Sequence, residues 1–575
     1  MSKDNVIYSL EPEDFYYMDI NVPCQGACPA LTNYIRALYE ERHGRSYEIN
    51  HMANILPGVL GRICSRPCED KCRHGESELG KPVNICHIKR AAADFREPPA
   101  TVGDAPAAGL GKHVAIIGSG PAGLAAAHDL ATIGMKVTIY EAMERTGGML
   151  RYGIPEFRLP RQILDKEIDA ILDLGVTLKT GVRIGTDLDM GDLLQEYDGV
   201  VMAAGCYRSL SLNVPGEDLP LVYPGLEFMV DVCSGGEPEV GKKVLVIGAG
   251  FTAFDCARSA LRLGAEDVTI CLRRTEEDLQ VTRDEVLETK REGVRINSLM
   301  LSQRVVGNGK VEGIAFVRTH PGEIRQDGKR EITPIEGSDF TVPADAVIVA
   351  TGQAQYPIES PGEKNERGIL IVDDALRTSA KGLYVAGDYL TGPSTVIEAI
   401  ASGRRAAENM AREITGAAFC EKVVRMEDTD ITDRERTWDY LHRLEIPTVE
   451  PVRDRFTTPL VEVETGFTRE QGKEESKRCY LCYLHYEIDV SRCIYCRYCI
   501  DVAPRDCIKM VEAVETNRDG AVTGLVETSR WQDVHAIVID NARCIRCGEC
   551  MRVCPVDCIS VTRVELTEKM AQMGD

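Results

Sequence analysis

The chain has 575 residues, 44% of them hydrophobic and 27% charged, and a net charge of −23. This length exceeds one hydrophobic core and predicts about three to five domains. The negative charge argues against nucleic acid as a partner, because phosphates would be repelled. No apolar run reaches the roughly 18 residues needed to span a bilayer. Residues 1–14 contain neither a basic head nor an apolar stretch, so we expect no membrane insertion and a cytoplasmic location.

The 22 cysteines form two dense groups on either side of a long middle region. Six lie between Cys24 and Cys86, and eleven lie between Cys479 and Cys558. Spacings of two and three residues within the groups favour metal ligation in a reducing compartment over disulfides. Zinc sites usually contain CxxC pairs, which the first group lacks, so iron-sulfur clusters are the favoured interpretation there.

The middle region begins with a Gly-rich turn between an apolar strand and an Ala-rich helix. The run KHVAIIGSGPAGLAAAHDL has Gly118, Gly120 and Gly123 in GxGxxG spacing, and the next strand ends in Glu141. The glycines permit a tight turn and close approach of a pyrophosphate to the helix N-terminus. Glu141 can accept a hydrogen bond from a ribose hydroxyl. The segment therefore predicts a dinucleotide-binding unit.

A second unit of the same kind follows, KVLVIGAGFTAFDCARSAL, with Gly248, Gly250 and Ala253 at the glycine positions. Its second strand ends in Arg273 and Arg274, where the first unit has an acid. Arginine at this point suits a 2′-phosphate, which favours NADP(H) over NAD(H). The alternative is that both arginines are a solvated strand end.

Two later segments, DAVIVATGQ at 345–353 and GLYVAGDYLTGPSTVIEAIASGRRAA at 382–407, complete a recognisable pattern. With the two fingerprints they resemble the FAD-dependent pyridine nucleotide oxidoreductases, and among them the small subunit of glutamate synthase. The resemblance covers roughly 110–415. It implies that the first fingerprint binds FAD and that the nested one binds NAD(P)H.

The same resemblance implies roles for four further residues of the flavin site. Asp388 is expected to hold the ribityl chain, and Gly148 is a further cofactor contact. The helix that starts near Thr395 and Val396 is expected to direct its N-terminus at the flavin ring, where it stabilises negative charge.

Members of that family, and the dihydropyrimidine dehydrogenases that share the module, carry two [4Fe-4S] clusters before the flavin domain. This chain lacks the CxxC with which their pattern opens. The resemblance implies one site made of Cys28, Cys64, Cys68 and Cys86. A second site with Cys24 and Cys72 is then two thiolates short. Related flavoproteins place a similar arginine-CxxC near this point, so the resemblance implies that Cys479 and Cys482, in the stretch EESKRCYLCY, are the missing pair. The alternative is that Cys24 and Cys72 bind no metal.

The C-terminal region reads like a bacterial two-cluster ferredoxin. CIRCGECMRVCP supplies Cys544, Cys547, Cys550 and Cys554 in a C-x2-C-x2-C-x3-C-P run. CIYCRYCIDVAP supplies Cys493, Cys496 and Cys499. Because the fourth residue of each run serves the other cluster, Ala503 leaves the second site one ligand short. Cys507 is the nearest replacement. The alternative is that Cys507 and Cys558 are both packing residues, in which case the three-cysteine site holds a [3Fe-4S] cluster or takes a non-cysteine ligand.

These patterns predict an α/β fold with two nested Rossmann-like domains, an α-helical Fe-S domain before them and an α+β ferredoxin-like domain after them. The expected boundaries are 1–110 for the helical Fe-S domain, 111–215 with 354–415 for FAD, 216–353 for NAD(P)H, 416–484 for a linker carrying the CxxC, and 485–575 for the ferredoxin-like domain. The cysteines not expected to bind metal are Cys206, Cys233, Cys256, Cys271, Cys420 and Cys558.

The function expected from these parts is that of an NAD(P)H:ferredoxin or acceptor oxidoreductase with FAD and about four [4Fe-4S] clusters. A ferredoxin or the Fe-S subunit of a larger complex is the expected partner. Hydride transfer between nicotinamide and flavin needs stacking and tuned potentials but no acid or nucleophile, so no catalytic side chain is expected. The alternatives are a glutamate synthase small subunit and a non-catalytic, cluster-carrying assembly subunit.

Overall fold

The computed structural model describes residues 22–29, 33–76, 80–96, 109–325, 330–416, 420–516 and 522–570. Residues 1–14, whose composition suggested a cytoplasmic start, lie outside the described residues. Within the described ranges, no helix combines the length and the hydrophobicity that crossing a bilayer requires.

The N-terminal region is helical, as predicted. Its helices are Pro23–Gly26, Ile35–Tyr39, His43–Ala53, Pro57–Ile63, Pro67–Asp70, Arg73–Glu76 and Ile85–Asp94. Three of them have proline in the first turn, where the missing N–H costs no helical hydrogen bond. Helix Pro57–Ile63 is buried over its whole length, and its first amides at Gly58 and Val59 donate to the Glu167 carboxylate at 2.7 and 2.9 Å. This contact joins the helical region to the first nucleotide-binding unit.

The first nucleotide-binding unit is built on a five-stranded parallel sheet. Its strands, in spatial order, are Leu383–Val385, Gly199–Met202, His113–Ile117, Lys136–Tyr140 and Thr177–Lys179. Helices Pro121–Thr132 and Val396–Thr415 pack on it, and the remaining helices of this part are Met149–Tyr152, Arg161–Leu172, Met190–Glu196 and Asp388–Thr391. The chain leaves the sheet in opposite directions on the two sides of His113–Ile117, which creates a crevice at the carboxyl ends of the strands.

The second, nested unit repeats this architecture. Its parallel sheet has the order Val222–Pro224, Ala346–Val349, Lys243–Ile247, Asp267–Cys271 and Arg295–Asn297. Its helices are Gly225–Cys233, Phe251–Arg262 and Arg283–Arg291, with a 3-10 turn at Glu276–Asp278. An antiparallel sheet of Met300–Gly307, Val311–Ile324, Arg330–Pro334 and Phe340–Pro343 is inserted before the last parallel strand. Short strands Arg208–Ser209 and Gln353–Ala354 pair where the chain passes between the two units.

The C-terminal region contains two three-stranded sheets. One has the order Cys420–Asp428, Ile559–Met570 and Leu484–Ile488, and the other Val522–Glu527, Ile508–Thr516 and Ala536–Ile539. Its helical segments are Tyr498–Val502, Pro504–Asp506, Trp531–Asp533 and Glu549–Arg552. This α+β arrangement agrees with the predicted fold class.

The predicted linker 416–484 is more structured than its composition suggested. Its first part forms the strand Cys420–Asp428, which pairs with the last strand of the chain over nine residues. The charged side chains of EKVVRMED concealed this strand in the sequence, because edge strands tolerate charge. The remainder contains Arg436–Tyr440, Asp454–Thr457 and Arg469–Ser476. It packs on the N-terminal helices, where Glu475 accepts hydrogen bonds from the amides of Asn84 and Leu444 at 3.0 and 2.9 Å.

Candidate functional site: a nucleotide cavity and four groups of thiols

One cavity of about 2030 Å³ extends along the carboxyl ends of both parallel sheets. Eleven of the thirteen residues predicted to bind nucleotide cofactors line it, namely Gly118, Gly120, Glu141, Gly148, Gly248, Gly250, Arg273, Arg274, Asp388, Thr395 and Val396. The other two, Gly123 and Ala253, lie behind it between helix and strand. The two fingerprints therefore open into one continuous space, long enough for two cofactors to meet end to end.

The glycines of the first fingerprint are required by close packing. A Cβ on Gly118, whose φ is +98°, would lie 2.5 Å from the carbonyl oxygen of Ala203. One on Gly123 would lie 2.0 Å from the carbonyl oxygen of Gly118. Gly120 has no atom within 4 Å of its Cβ position, so its bare backbone faces the cavity and leaves room for a pyrophosphate.

Glu141 is held at the end of its strand by backbone amides. Its carboxylate accepts hydrogen bonds from the Ser119 amide at 2.9 Å and from the Met143 amide at 2.8 Å. The side chain is buried at the cavity wall. This geometry fixes an acceptor where the ribose of a dinucleotide would lie.

The late motif presents a carboxylate and a helix end to the same cavity. Asp388 accepts hydrogen bonds from the amide and hydroxyl of Ser394 at 3.1 and 2.6 Å. Burial raises its pKa above the ordinary value. Thr395 and Glu398 form a reciprocal capping box, which fixes the N-terminus of the twenty-residue helix Val396–Thr415 at the cavity wall.

Tyr207 is a cavity residue that the sequence motifs did not reveal. Its hydroxyl is buried and has no hydrogen-bond partner among the described residues, and it lies 3.6 Å from the Cβ position of Gly148. A buried unpaired hydroxyl is costly unless a ligand satisfies it, so this wall fits a polar cofactor such as FAD. Its position after the strand Gly199–Met202, at the carboxyl edge of the sheet, was the available sequence signal.

The far end of the cavity is basic. Arg274 donates through Nε to the carbonyl of Arg330 at 2.8 Å. Burial lowers the pKa of Arg273, and the neighbouring charges of Arg274 and Arg325 lower it further. Arg325 and Arg330 come from the inserted antiparallel sheet, so no local motif could predict them. Arg330 is paired with Asp278 at 3.0 Å, so Arg273 and Arg274 are the guanidinium groups at the cavity wall that suit a bound phosphate.

Site A consists of Cys28, Cys64, Cys68 and Cys86, all of them buried. A hydrogen bond between the thiols of Cys64 and Cys86 lowers the pKa of Cys64. The buried ammonium of Lys89 faces all four thiols; although burial opposes its charge, the thiolates raise its pKa. The residue next to Cys64, Ser65, lines the nucleotide cavity, so site A borders this cavity.

Site B consists of Cys24, Cys72, Cys479 and Cys482. Burial raises the pKa of Cys24 well above its ordinary value, and the charges of the other three thiols raise it further. Burial also raises the pKa of Cys479 to about 12. The structure thus brings together the two pairs that the sequence left separate, one from each end of the chain.

Site C consists of Cys507, Cys544, Cys547 and Cys550, all of them buried. A hydrogen bond between Cys507 and Cys544 raises the pKa of the first thiol and lowers that of the second. The amide of Arg546 donates to the Cys544 sulfur at 3.4 Å. The structure thus brings Cys507 next to the three thiols that lack a fourth ligand in the motif, and Ala503 packs against the C-terminal core.

Site D consists of Cys493, Cys496, Cys499 and Cys554, which line a small cavity. Cys558 lines the same cavity, with its sulfur 3.5 Å from that of Cys554. Its amide donates to the Cys554 sulfur at 3.4 Å. Site D therefore has a fifth thiol at the position that corresponds, in the other half of the module, to Cys507.

The remaining cysteines without an assigned metal role lie in the nucleotide-binding region, except Cys420, whose side chain lies outside the described residues. Cys233, Cys256 and Cys271 have raised pKa values because of burial. Cys206 lines the nucleotide cavity and donates to the Asp388 carbonyl at 3.1 Å.

Each of the four groups has the four thiolates that a [4Fe-4S] cluster takes as ligands. A tetrahedral zinc ion with Zn–S bonds of about 2.3 Å would hold its thiolates about 4 Å apart. Over the described ranges, no three His, Cys, Asp or Glu side chains converge tightly enough to hold one ion. Four crowded thiolates raise one another's pKa, and this repulsion is offset when they ligate a larger, iron-containing core.

Comparison with known families identifies the middle of the chain. Residues 112–403, half of the sequence, match the pyridine nucleotide-disulphide oxidoreductases. The chain belongs to this family. Residues 19–99 match the 4Fe-4S cluster domain described as domain II of dihydropyrimidine dehydrogenase, and residues 492–558 match a 4Fe-4S dicluster domain. The chain is therefore an oxidoreductase whose cofactors are FAD, NAD(P)H and [4Fe-4S] clusters, as the sequence predicted.

Three relatives are similar to this chain over most of its length and most of their own. The NADP(+)-dependent formate dehydrogenase subunit beta of Moorella thermoacetica is 37% identical over 81% of this chain and 71% of the relative. The NADPH-Fe(3+) oxidoreductase subunit beta of Geobacter sulfurreducens (strain DL-1 / KN400) is 34% identical over 80% and 75%. The glutamate synthase [NADPH] small chain of Escherichia coli (strain K12) is 36% identical over 68% and 88%. All three are named as parts of larger assemblies.

Proposed function

We propose that this chain is the NADPH-binding subunit of a redox complex and that it passes electrons between NADPH and an iron-sulfur partner protein. When bound, FAD exchanges hydride with the nicotinamide and single electrons with the [4Fe-4S] clusters. The printed names of the relatives support NADPH as the nucleotide. Ligation by sixteen reduced cysteines agrees with a cytoplasmic location.

The observation that carries this proposal is the continuous order of the thiol sites from the cavity to the surface. Site A borders the cavity through Ser65. The charge of Cys68 in site A reaches Cys24 in site B. Cys482 of site B packs with Cys547 of site C, and the charge of Cys499 in site D reaches Cys550 in site C. The order is therefore cavity, A, B, C and D, with each site next to its neighbour.

The proposed docking face for the partner surrounds site D. Ile494 and Tyr498 flank Cys496 and are 58% and 55% exposed. Trp531 is 47% exposed and lies under the guanidinium of Arg497, 5.8 Å from the ring centroid. Exposed apolar side chains grouped around the last redox site favour a protein interface. The neighbouring Arg492 and Arg497 supply local positive charge in an acidic chain, which suits an acidic iron-sulfur partner.

The test compares two acceptors. The variant Tyr498→Asp in the full chain should slow NADPH-dependent reduction of a bacterial two-[4Fe-4S] ferredoxin at least tenfold, because the aspartate adds negative charge at the interface. Reduction of methyl viologen, a small dye that needs no docking surface, should be unchanged. The control variant Leu460→Asp changes an equally exposed apolar residue, 64% exposed, in a different part of the chain and should affect neither acceptor. If Tyr498→Asp leaves ferredoxin reduction intact, the partner does not dock at site D.

A glutamate synthase small subunit is the second candidate, since that relative is 36% identical. The match covers 68% of this chain, and the dicluster module at 492–558 provides an electron exit of its own. This module favours an iron-sulfur partner over a glutamine-cleaving one. Reduction of added ferredoxin by NADPH without a glutamate synthase large subunit would separate the two candidates.

A further inference from the structure

The buried arginine Arg434 lies at the junction of sites B and C. It is 1% exposed and is among the largest fully buried side chains of the described residues. Its Nε donates to the carbonyl of Cys479 at 3.1 Å, and its guanidinium carbon lies 5.0 Å from the ring centroid of Tyr480. Tyr480 in turn packs with Cys547 of site C, with Cys482 of site B beside them. The guanidinium thus lies over the segment that the two sites share.

The outer nitrogens of this guanidinium have no protein partner. Nη1 and Nη2 of Arg434 are both buried without a hydrogen-bond partner among the described residues. Burying a charge in this way is strongly unfavourable unless negative charge and hydrogen-bond acceptors compensate it. Five donors in a planar group are otherwise almost always used.

The nearby carboxylate does not fill this role. Asp439 acts on Arg434 electrostatically, but its oxygens accept hydrogen bonds from the Tyr480 hydroxyl at 2.7 Å and from Arg505 at 2.9 Å. The other groups acting on Arg434 are the phenol of Tyr480, whose hydroxyl already donates to Asp439, and the thiolates of Cys479 and Cys547, one from each site. The acceptors for Nη1 and Nη2 of Arg434 are therefore expected among the thiolates of sites B and C and the clusters that they would ligate.

We infer that Arg434 raises the reduction potentials of the clusters at sites B and C, because its buried positive charge stabilises the negative charge that each gains with one electron. The inference rests on the proposed series of clusters. A fixed cation favours the reduced form over the oxidised form, and the effect is large where water is excluded. Arg434 would then keep electrons on the central pair and join the N-terminal half of the series to the C-terminal half.

The experiment is an anaerobic, mediator-coupled redox titration of the full holoprotein, followed by electron paramagnetic resonance. Removing the charge with Arg434→Met should lower the midpoints of two clusters by about 59 mV, a tenfold change in the ratio of reduced to oxidised cluster. The midpoints of sites A and D should move much less, because no thiol of either site is among the groups that act on Arg434. Arg434→Lys retains the charge, so its two midpoints should lie close to those of the wild type.

Two further variants separate an electrostatic role from a structural one. Arg436→Met removes the same charge two residues away at an exposed position and should leave all midpoints unchanged. Asp439→Asn removes negative charge beside Arg434 and should shift the midpoints of sites B and C upward, opposite to Arg434→Met. Site signals are assigned by their loss in Cys479→Ala for site B and in Cys507→Ala for site C.

Two results would overturn the inference. One is an Arg434→Met protein with its full iron content and unchanged midpoints. The other concerns Asp439→Asn, which decides the question if Arg434→Met loses iron. Midpoints of sites B and C that stay unchanged or fall in Asp439→Asn would contradict an electrostatic role. The titration uses chemical reductant and mediators, so it gives the midpoints even if NADPH fails to reduce the clusters, which would count only against the proposed function.

Discussion

Arg73 donates a hydrogen bond through Nη1 to the carbonyl of Asn541 at 2.8 Å, joining the two ends of the chain. Arg73 follows Cys72 of site B, and Asn541 precedes Cys544 of site C. Asn541 is itself fixed, because its side-chain amide exchanges hydrogen bonds with the backbone of Tyr486 at 3.0 and 2.9 Å. The contact therefore sets the position of site B relative to site C.

The split composition of site B gives the first prediction. Cys479→Ala should remove one cluster, so the iron content of anaerobically purified protein should fall from about 16 to about 12 atoms per chain. The lost signal should belong to the N-terminal pair of sites, since Cys24 and Cys72 lose a ligand partner. The matched control Cys256→Ala changes a buried cysteine in the nucleotide-binding region and should retain all the iron. Full iron in Cys479→Ala would show that site B is not formed as described.

The two corresponding cysteines of the C-terminal module, Cys507 and Cys558, give the second prediction. Cys507→Ala should destroy the cluster at site C or convert it to a three-iron form, because only three thiols remain. Cys558→Ala should keep four clusters, since Cys554 still completes site D. Iron analysis and electron paramagnetic resonance of the two variants check this pair. The reverse result, with iron lost only from Cys558→Ala, would mean that the two cysteines have exchanged roles.

Local motifs predicted the parts of this molecule, and chain topology decided how the parts combine. The glycine motifs that begin at Gly118 and Gly248 predicted both nucleotide-binding units, because the spacing within each motif is typical of a strand, a turn and a helix. The pairing of Cys24 with Cys479 was inferred from a ligand count and from the resemblance to related flavoproteins, since proximity across the chain is set by packing. Arg434 carried no signal at all: an arginine in a charged segment is usually exposed, and only the fold buries it.

The basic end of the nucleotide cavity gives the third prediction. Arg273→Ala should raise KM for NADPH by about 10-fold to 100-fold, the loss expected for a charge-assisted contact worth about 1.5–3 kcal/mol. KM for NADH should change little, because NADH has no 2′-phosphate. Flavin reduction measured with both nucleotides checks this, with Arg295→Ala as a control, since Arg295 pairs with Asp267 on the surface. Equal effects on the two nucleotides would assign Arg273 a structural role.

The last prediction concerns a buried ion cluster between the second nucleotide-binding unit and the segment 416–484, called here the wrapping segment. The Glu292 carboxylate accepts hydrogen bonds from Arg258 at 2.8 and 3.0 Å and from Arg262 at 2.8 and 3.1 Å. Arg455 of the wrapping segment adds a contact at 3.3 Å. Although burial opposes ionisation, Arg258 and Arg262 lower the pKa of Glu292 to about 2. Glu292→Gln removes the carboxylate that Arg262 pairs with and one of the carboxylates of Arg258 and Arg455, which keep Glu285 and Glu288. It should destabilise the fold by about 3 kcal/mol.

The pH dependence of this difference follows from the sign of the shift. Because the pKa of Glu292 is lower in the folded state, its stabilisation is fully present above the unfolded value near 4.5 and is lost as pH falls towards 2. The difference in unfolding midpoint between wild type and Glu292→Gln, followed by far-ultraviolet circular dichroism, should therefore be constant from about pH 6 to 8 and shrink below about pH 4.5. Glu266→Gln is the control, since that exposed pair with Lys242 should contribute less than about 1 kcal/mol at any pH. A difference for Glu292→Gln that does not change with pH would mean that the carboxylate's charge is not what stabilises this junction.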